Sequence, residues 1–368
     1  MTGPAPVPAL ACRGLRVGYG PDPVVTDLDL TVSEGEVVAL LGPSGSGKTT
    51  LLSAIAGFLH VAAGEIRIED ELVAGPGRRH VPPEHRSVAV VFQNYALWPH
   101  MTALETVAYP YRRRGIAVDE ARRRAAELLE RLGIGGLAGR RPAELSGGEQ
   151  QRVGLGRALA RDARLYLFDE PTAHLDATLR TQLQEEIATQ RRATGSAALY
   201  ATHDTAEALA VADRVALLRT GRLVQVGPPA EVYERPIDVW AARLTGPASL
   251  LPVTVRDRRD GRARLELGGV TADVAIDGLD GADLAVIRPE WARLGGDLPG
   301  RIATVAYRGV HTEYGLETPA GTVGLFEPGP PRAAPGDACT WRLDRAWLVG
   351  GPRKAPISDP SSPRTSPG

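Results

Sequence analysis

Two apolar patterns alternate along most of the chain. Short unbroken apolar runs (Val37–Leu41, Val88–Phe92, Leu165–Phe168 and Ala197–Tyr200) are separated by stretches whose apolar residues recur at helical spacing. An unbroken run suits a strand buried on both faces, and a periodic stretch suits a helix that covers it. The helical stretches are Leu51–Ala56, the segment from Leu97 that carries Leu104, Val107 and Ala108, then Asp119–Leu132, Gln150–Ala160, Leu179–Arg192 and Thr205–Ala212. In Asp119–Leu132, Leu128, Leu129 and Leu132 face inward while Arg122, Arg123 and Arg124 face solvent. Strands alternating with covering helices predict an α/β domain on a mainly parallel sheet. Leu15–Gly20, Leu28–Val38 and Gly64–Ala74 read as strands of alternating character, and Val215–Leu218 with Leu223–Val226 as a closing hairpin around Thr220-Gly221.

After Val239 the pattern changes. From about Leu250 to Gly350 the chain breaks into short alternating strands (Leu251–Val255, Ala263–Leu267, Leu284–Arg288, Ile302–Tyr307) between Gly/Asp turns. That predicts an all-β domain of sandwich or small-barrel type, with two loosely similar halves and no clean repeat. The expected organisation is a disordered N-terminus (1–9), an α/β domain (10–246) with a helical subdomain at about 97–164, an all-β domain (247–350) and a disordered Pro/Ser-rich tail (351–368).

Composition narrows the function classes. The 368 residues exceed one ordinary domain. A net charge of -1 gives no electrostatic reason to expect nucleic acid or an anionic membrane surface. The arginines at 112–114 and 122–124 accordingly read as solvated helix surface. Cys12 and Cys339 lie far apart without metal or redox spacing, as expected of structural residues in a reducing cytosol. The first eleven residues carry no Lys or Arg and no long apolar core, so no signal peptide is expected. No apolar run approaches the ~20 residues of a spanning helix. A soluble protein is expected, which would reach a membrane only through a partner.

The chemistry concentrates where apolar runs end. After Val37–Leu41 comes Gly42-Pro43-Ser44-Gly45-Ser46-Gly47-Lys48-Thr49-Thr50, and then a helix. Strand, glycine-rich loop and helix form the context in which G-x-x-x-x-G-K-[ST] binds a polyphosphate. The glycines let backbone N–H groups turn inward, and the helix N-terminus adds partial positive charge. Lys48 can reach β- and γ-phosphate oxygens, and the Thr49 hydroxyl can ligate Mg²⁺. Leu165–Phe168 ends in Asp169-Glu170. With a phosphate loop upstream, Asp169 can hold Mg²⁺ through its water shell, and Glu170 can accept the proton of an attacking water. Gln93 and His203 also lie at strand carboxyl ends; each alone is an ordinary polar terminus, and together with Asp169 and Glu170 they make an active-site rim. Gln93 can bond the metal or the attacking water, and His203 can bond the γ-phosphate and orient Glu170. Ser146-Gly147-Gly148 opens another helix as a second anion site. If one chain cannot bring both sites to one γ-phosphate, two chains head to tail can. Tyr19, ahead of the loop, is either edge packing or a purine-stacking aromatic.

These motifs resemble those of the ABC-transporter ATPases. Leu145-Ser146-Gly147-Gly148-Glu149-Gln150-Gln151-Arg152 is similar to the family's signature motif. In the family's order stand a Walker A loop (42–49), a Q-loop (Gln93), a Walker B strand (165–169, with Glu170), a D-loop (Ala173 to Asp176) and a switch histidine (His203). The resemblance covers Leu10 to about Gly246. It implies that Tyr19 stacks on adenine, that Leu145 to Glu149 and Asp176 contact nucleotide, and that Gln93, Thr49 and Asp169 serve Mg²⁺. The implied cofactors are ATP and Mg²⁺, and the implied activity is ATP hydrolysis.

A narrower likeness lies in Val91 to Thr102 and in Pro229 to Pro236, which resemble importer ATPases for sugars, polyamines, ferric iron or phosphonates. Ile287-Arg288-Pro289-Glu290 resembles a motif of their C-terminal OB-like (TOBE) domain, which would either sense a regulator or stiffen the dimer. The Tyr-Ala-Leu-Trp-Pro-His wording leans toward iron, polyamine or phosphonate. The resemblance implies a homodimer at the cytoplasmic face of the cell membrane, docked to two permease subunits and indirectly served by an extracytoplasmic solute-binding protein, with no nucleic acid. The alternatives fit less well. Non-transport ABC proteins of nucleic acid or ribosomes carry duplicated ATPase domains or long helical insertions, an exporter half needs an apolar span, and a GTPase needs an Asn-Lys-x-Asp motif. Glu149 stands where these importers usually have Gln. Gly154 and Gly156 stand in the signature helix at ~1 kcal/mol each in propensity, which predicts a softer helix.

Overall fold

The computed structural model describes residues 7–91, 96–161, 163–172, 180–181, 184–185, 189, 195–278 and 281–350. The chain divides into two compact units, Met1–Val232 and Tyr233–Gly368.

The first unit carries strands β1 (Leu10–Val17), β2 (Val25–Val32), β3 (Val37–Leu41), β4 (Val61–Ile68), β5 (Glu71–Gly75), β6 (Arg79–His80), β7 (Val88–Val91), β8 (Leu165–Asp169), β9 (Ala197–Thr202), β10 (Arg214–Arg219) and β11 (Arg222–Gly227). One sheet has the order β11-β10-β3-β9-β8-β7 and is parallel except at the β10–β11 hairpin. β3, β8 and β9 are buried along their whole length, as their unbroken apolar runs require.

A second sheet, β2-β1-β4-β5-β6, is antiparallel throughout. Its strands alternate buried and exposed positions because one face meets water. Helix α1 (Lys48–Ala56) supplies Leu51, Leu52 and Ile55 to a core that takes Leu10, Leu15 and Leu28 from the antiparallel sheet and Val38, Leu40 and Leu167 from the parallel one.

On the other side, α2 (Ala103–Arg113), α3 (Val118–Arg131) and α4 (Gly147–Leu159) pack as a helical layer. Val107, Leu128, Leu129, Val153 and Leu155 meet Val91, Phe168 and Tyr200 of the sheet in one core. Gly156 is explained by packing. A Cβ there would stand 3.0 Å from Val107 Cγ2 and 3.2 Å from Leu132 Cδ1, so the glycine admits the close approach of α2 and α4.

The second unit is all-β apart from short helices. Its strands are β12 (Ser249–Pro252), β13 (Thr254–Arg259), β14 (Arg262–Leu267), β15 (Val270–Gly278), β16 (Leu284–Ile287), β17 (Ala292–Tyr307), β18 (His311–Thr318), β19 (Gly321–Pro328), β20 (Ala338–Leu343) and β21 (Arg345–Val349). They form a six-stranded sheet, β12-β16-β21-β15-β14-β13, and a four-stranded sheet, β19-β18-β17-β20, over a common core. Pairing is antiparallel except between β15 and β21.

Sequence pattern placed 233–246 with the α/β domain, whereas the contacts group these residues with the β unit. Arg288 is the reason. Its guanidinium is wholly buried and donates to the carbonyls of Tyr233 (2.6 Å), Ala242 (2.9 Å), Gly246 (3.2 Å) and Pro247 (3.1 Å), and to Thr245 Oγ1 (2.8 Å).

Candidate functional site

The site is built at the carboxyl ends of β3, β8 and β9, adjacent in the parallel sheet. The loop after β3 turns on Gly45 (φ +79°) and Gly47 (φ +106°), backbone conformations costly for residues with a Cβ, and delivers the chain into α1 with Lys48 at its first turn. Gly42 has no room for a side chain, since a Cβ would stand 2.4 Å from Leu218 O. Lys48 is buried and its Nζ donates to Gly42 O (2.8 Å) and Pro43 O (3.2 Å). Burial lowers the Lys48 pKa, and Glu170 and Asp169 oppose that fall.

Three carboxyl-end residues converge on this loop. Thr49 Oγ1 donates to Asp169 Oδ1 at 3.1 Å. Lys48 Nζ lies 3.9 Å from Glu170 Oε1, and the same oxygen is 3.1 Å from His203 Nδ1. Glu170 holds a left-handed backbone (φ +49°) that a non-glycine residue rarely keeps, and its N–H donates to Ala201 O at 2.9 Å. Strain of this kind persists where neighbours over-determine it and is common at functional sites. Lys48, Thr49, Asp169, Glu170 and His203 thus share one cluster. Gln93 and Asp176 lie outside the described residues.

An Mg²⁺ ion fits this chemistry. It is usually held by one or two protein oxygens together with phosphates and water, and Thr49 Oγ1 and Asp169 Oδ1 are two such oxygens side by side. Asp169 also carries a cost that a cation would relieve. Burial raises its pKa, helped by Glu170 and opposed by Thr49 and Lys48. A raised carboxyl pKa means that the folded chain binds the proton more readily than the unfolded chain, so the penalty is complete above the folded pKa and fades as pH falls toward 3.8. Asp169→Asn is therefore expected to stabilise the metal-free protein at pH 7 by about 1 kcal/mol, or a Tm rise of about 2–4 °C. The gain should shrink as pH approaches 4 and should be accompanied by loss of hydrolysis. Calorimetry at both pH values checks this, and a lower Tm at pH 7 would contradict it.

The other nucleotide candidates stand on other elements. Tyr19, in the turn between β1 and β2, is exposed, with its ring open to solvent. Leu145 is buried in the helical layer. Ser146 caps α4, and Gly147 and Gly148 form the first turn of that helix. Ser146 and Glu149 close on each other: the Ser146 N–H (2.7 Å) and hydroxyl (2.8 Å) donate to Glu149 Oε2, and the Glu149 N–H donates back to Ser146 Oγ. Those bonds lower the Glu149 pKa and keep its charge at the helix N-terminus.

Three supporting residues were not found from sequence. Gly221, in the β10–β11 turn, donates its N–H to Ser46 O (2.9 Å) and accepts from Thr26 N–H (3.0 Å), tying the phosphate loop to β2. A Cβ on Gly221 would overlap Val24 O. Its Thr-Gly turn signal was visible, but the partner of that turn was not. Arg86, fully buried, donates to Ala54 O and Ile55 O at the far end of α1. Glu207 sits behind His203, in α5 (Thr205–Val211).

Comparison with known proteins agrees with this geometry. Residues 25–173 match the ABC transporter family model, and residues 285–349 match the TOBE domain. The chain is 40% identical over 322 residues to the Fe(3+) ions import ATP-binding protein FbpC of Brucella abortus (strain 2308), covering 86% of this chain and 90% of that protein. It is 38% identical over 327 residues to the spermidine/putrescine import ATP-binding protein PotA of Thermobifida fusca, covering 85% of this chain and 84% of that protein. Among solved structures it resembles the dimeric post-hydrolysis state of the ATP-binding cassette MJ0796 bound to ADP and Pi, with TM-score 0.55, 27% identity, and coverage of 60% of this chain and 98% of that one.

Proposed function

Since the chain belongs to the ATP-binding proteins of ABC import systems, which are ATPases coupled to transport, we propose that it powers the uptake of ferric iron. The observation that carries the ATPase reading is the convergence of Lys48, Thr49, Asp169, Glu170 and His203 at three adjacent strand ends. The iron reading rests on likeness to Fe(3+) import proteins of several bacteria.

In the proposed mechanism the ATP phosphates lie on the backbone N–H groups of the loop 42–50, with Lys48 Nζ on the β- and γ-phosphate oxygens. Thr49 and Asp169 would hold Mg²⁺, which when bound would supply charge neutralisation at the phosphates. Glu170 takes the proton from the attacking water, and His203 Nδ1 keeps that carboxylate aimed. Tyr19 stacks on adenine, Gln93 completes the metal or water contacts, and Asp176 and the Leu145–Glu149 motif act across a head-to-tail dimer of this chain. Closure of that dimer on ATP would be transmitted to two permease subunits, fed by an extracytoplasmic binding protein. No helix among the described residues is long and apolar enough to cross a membrane, which suits a peripheral subunit at the cytoplasmic face.

A polyamine cargo is the second reading, favoured by the likeness to a spermidine/putrescine import protein. Uptake of radiolabelled ferric iron and of spermidine, in a strain lacking this chain and complemented with it or with Glu170→Gln, separates the two. Iron uptake restored only by the wild-type chain is the expected result. Restoration of spermidine uptake alone would shift the cargo, and restoration of neither would sink both.

A further inference from the structure

We propose that Glu207 is a positioning residue for hydrolysis, acting through His203 and Glu170. The proposal rests on the reading of the chain as an ATPase with Glu170 and His203 in its hydrolytic pair.

Glu207 is only 3% exposed, an expensive place for a carboxylate. It accepts hydrogen bonds from three hydroxyls belonging to different segments. Tyr200 Oη and Thr172 Oγ1 both donate to Oε1, and Thr202 Oγ1 donates to Oε2 at 2.5 Å. Thr172 lies two residues after Glu170, and Thr202 lies immediately before His203. One carboxylate therefore fastens the chain just beyond the proposed base to the chain just ahead of the histidine that contacts it.

The backbone adds to this clamp. Asp204 Oδ1 accepts the Glu207 N–H at 3.0 Å, and Thr202 Oγ1 accepts the Asp204 N–H at 3.0 Å, so His203 lies in a turn bonded on both sides. The strained φ of Glu170 is bracketed by Ala201 O on its own N–H and by Thr172 two residues on. A hydroxyl donates one proton only, and Thr202 Oγ1 already accepts from Asp204. All three hydroxyls can donate inward only if residue 207 offers acceptors on both of its oxygens. Glutamine, isosteric with glutamate, has one acceptor oxygen and a donor amide nitrogen, so at least one of the three hydroxyls must turn its proton away and accept from the amide instead, which breaks the inward pattern.

The test is steady-state ATPase kinetics of the full-length protein carrying Glu207→Gln, His203→Ala, the double variant, and Tyr200→Phe, which removes one hydroxyl. Glu207→Gln is expected to lower kcat by about 10- to 100-fold with KM for MgATP within about twofold of wild type. In the His203→Ala background the same change should cost less than about twofold, because the residue acts through that histidine. Tyr200→Phe should lower kcat by about threefold with KM unchanged, and it serves if Glu207→Gln fails to fold. Fully multiplicative losses in the double variant, a rise in KM with kcat retained, or wild-type kinetics in both Glu207→Gln and Tyr200→Phe would overturn the proposal alone. A wild-type protein without ATP hydrolysis would overturn the proposed function, and this proposal with it.

Discussion

Glu170→Gln is expected to lower kcat for ATP hydrolysis by about three orders of magnitude, within the range that positioned general bases contribute. Glutamine fills the same space and its Oε1 can still meet His203 Nδ1, 3.1 Å away in the native site, but it cannot take a proton from water. Nucleotide affinity should hold or improve, since the substitution removes the negative charge 3.9 Å from Lys48 Nζ, where the phosphates compete for the same ammonium. The combined expectation is a protein that binds ATP, accumulates as an ATP-bound dimer and turns over very slowly. Nucleotide titration, size-exclusion chromatography with ATP and phosphate release measure the three parts. Retention of more than about a tenth of wild-type kcat would remove Glu170 from the role of base.

The second large effect concerns stability. Arg86→Ala is expected to destabilise the first unit by about 3–5 kcal/mol, from lost charged hydrogen bonds and an unfilled cavity. The Arg86 side chain is 1% exposed. Its Nη1 donates to Ala54 O and Ile55 O (both 2.7 Å), Nε to Val81 O (2.7 Å) and Nη2 to Val73 O (3.3 Å). Two of these acceptors end α1, whose other end carries Lys48, so one cation bonds last-turn carbonyls of the phosphate-loop helix and complements its dipole. Burial lowers the Arg86 pKa to about 10, still well above neutral, so the charge persists at pH 7. Alanine removes the donor from Ile55 O and Val81 O, whereas Ala54 O keeps the Gly57 N–H (3.2 Å) and Val73 O keeps the Val81 N–H (2.8 Å). Lysine should recover less than half, because one ammonium cannot span acceptors on α1, β5 and the segment after β6. Urea unfolding followed by a probe in the first unit measures this, and a loss below about 1 kcal/mol would show that water can replace the guanidinium.

The two predictions differ in how much of each could be read from the chain. Glu170 follows a complete apolar run and stands downstream of a phosphate-loop pattern, so its place at a strand end was legible, and the role proposed for it follows from the same pattern. Lys48, Thr49, Asp169 and His203 were legible for the same reason. Unbroken apolar runs mark strands buried on both faces, and polar residues that close such runs collect at one edge of a parallel sheet. Arg86 had no such signal. It sits among ordinary loop residues, and three of its four acceptors, Val73 O, Ala54 O and Ile55 O, belong to other elements upstream. Glu207 was equally hidden, since a glutamate in the first turn of a helix usually serves the helix dipole in solvent.

The sequence by itself therefore determined the alternation of buried strands with covering helices, the change from α/β to all-β character, and the candidate residues for the proposed nucleotide chemistry, because these depend on local periodicity and motif spacing. Tertiary structure decided the rest. Alternating strands state that one face is wet but not which neighbours they pair with, so the separate antiparallel sheet β2-β1-β4-β5-β6 emerged only on folding. The place of Gly156 in a helix crossing, the seat of the Gly221 turn against the phosphate loop, and the grouping of 233–246 with the β unit through Arg288 likewise emerged only there. Each depends on close approach or buried hydrogen bonds between segments far apart in the chain, and no local pattern encodes such a partner.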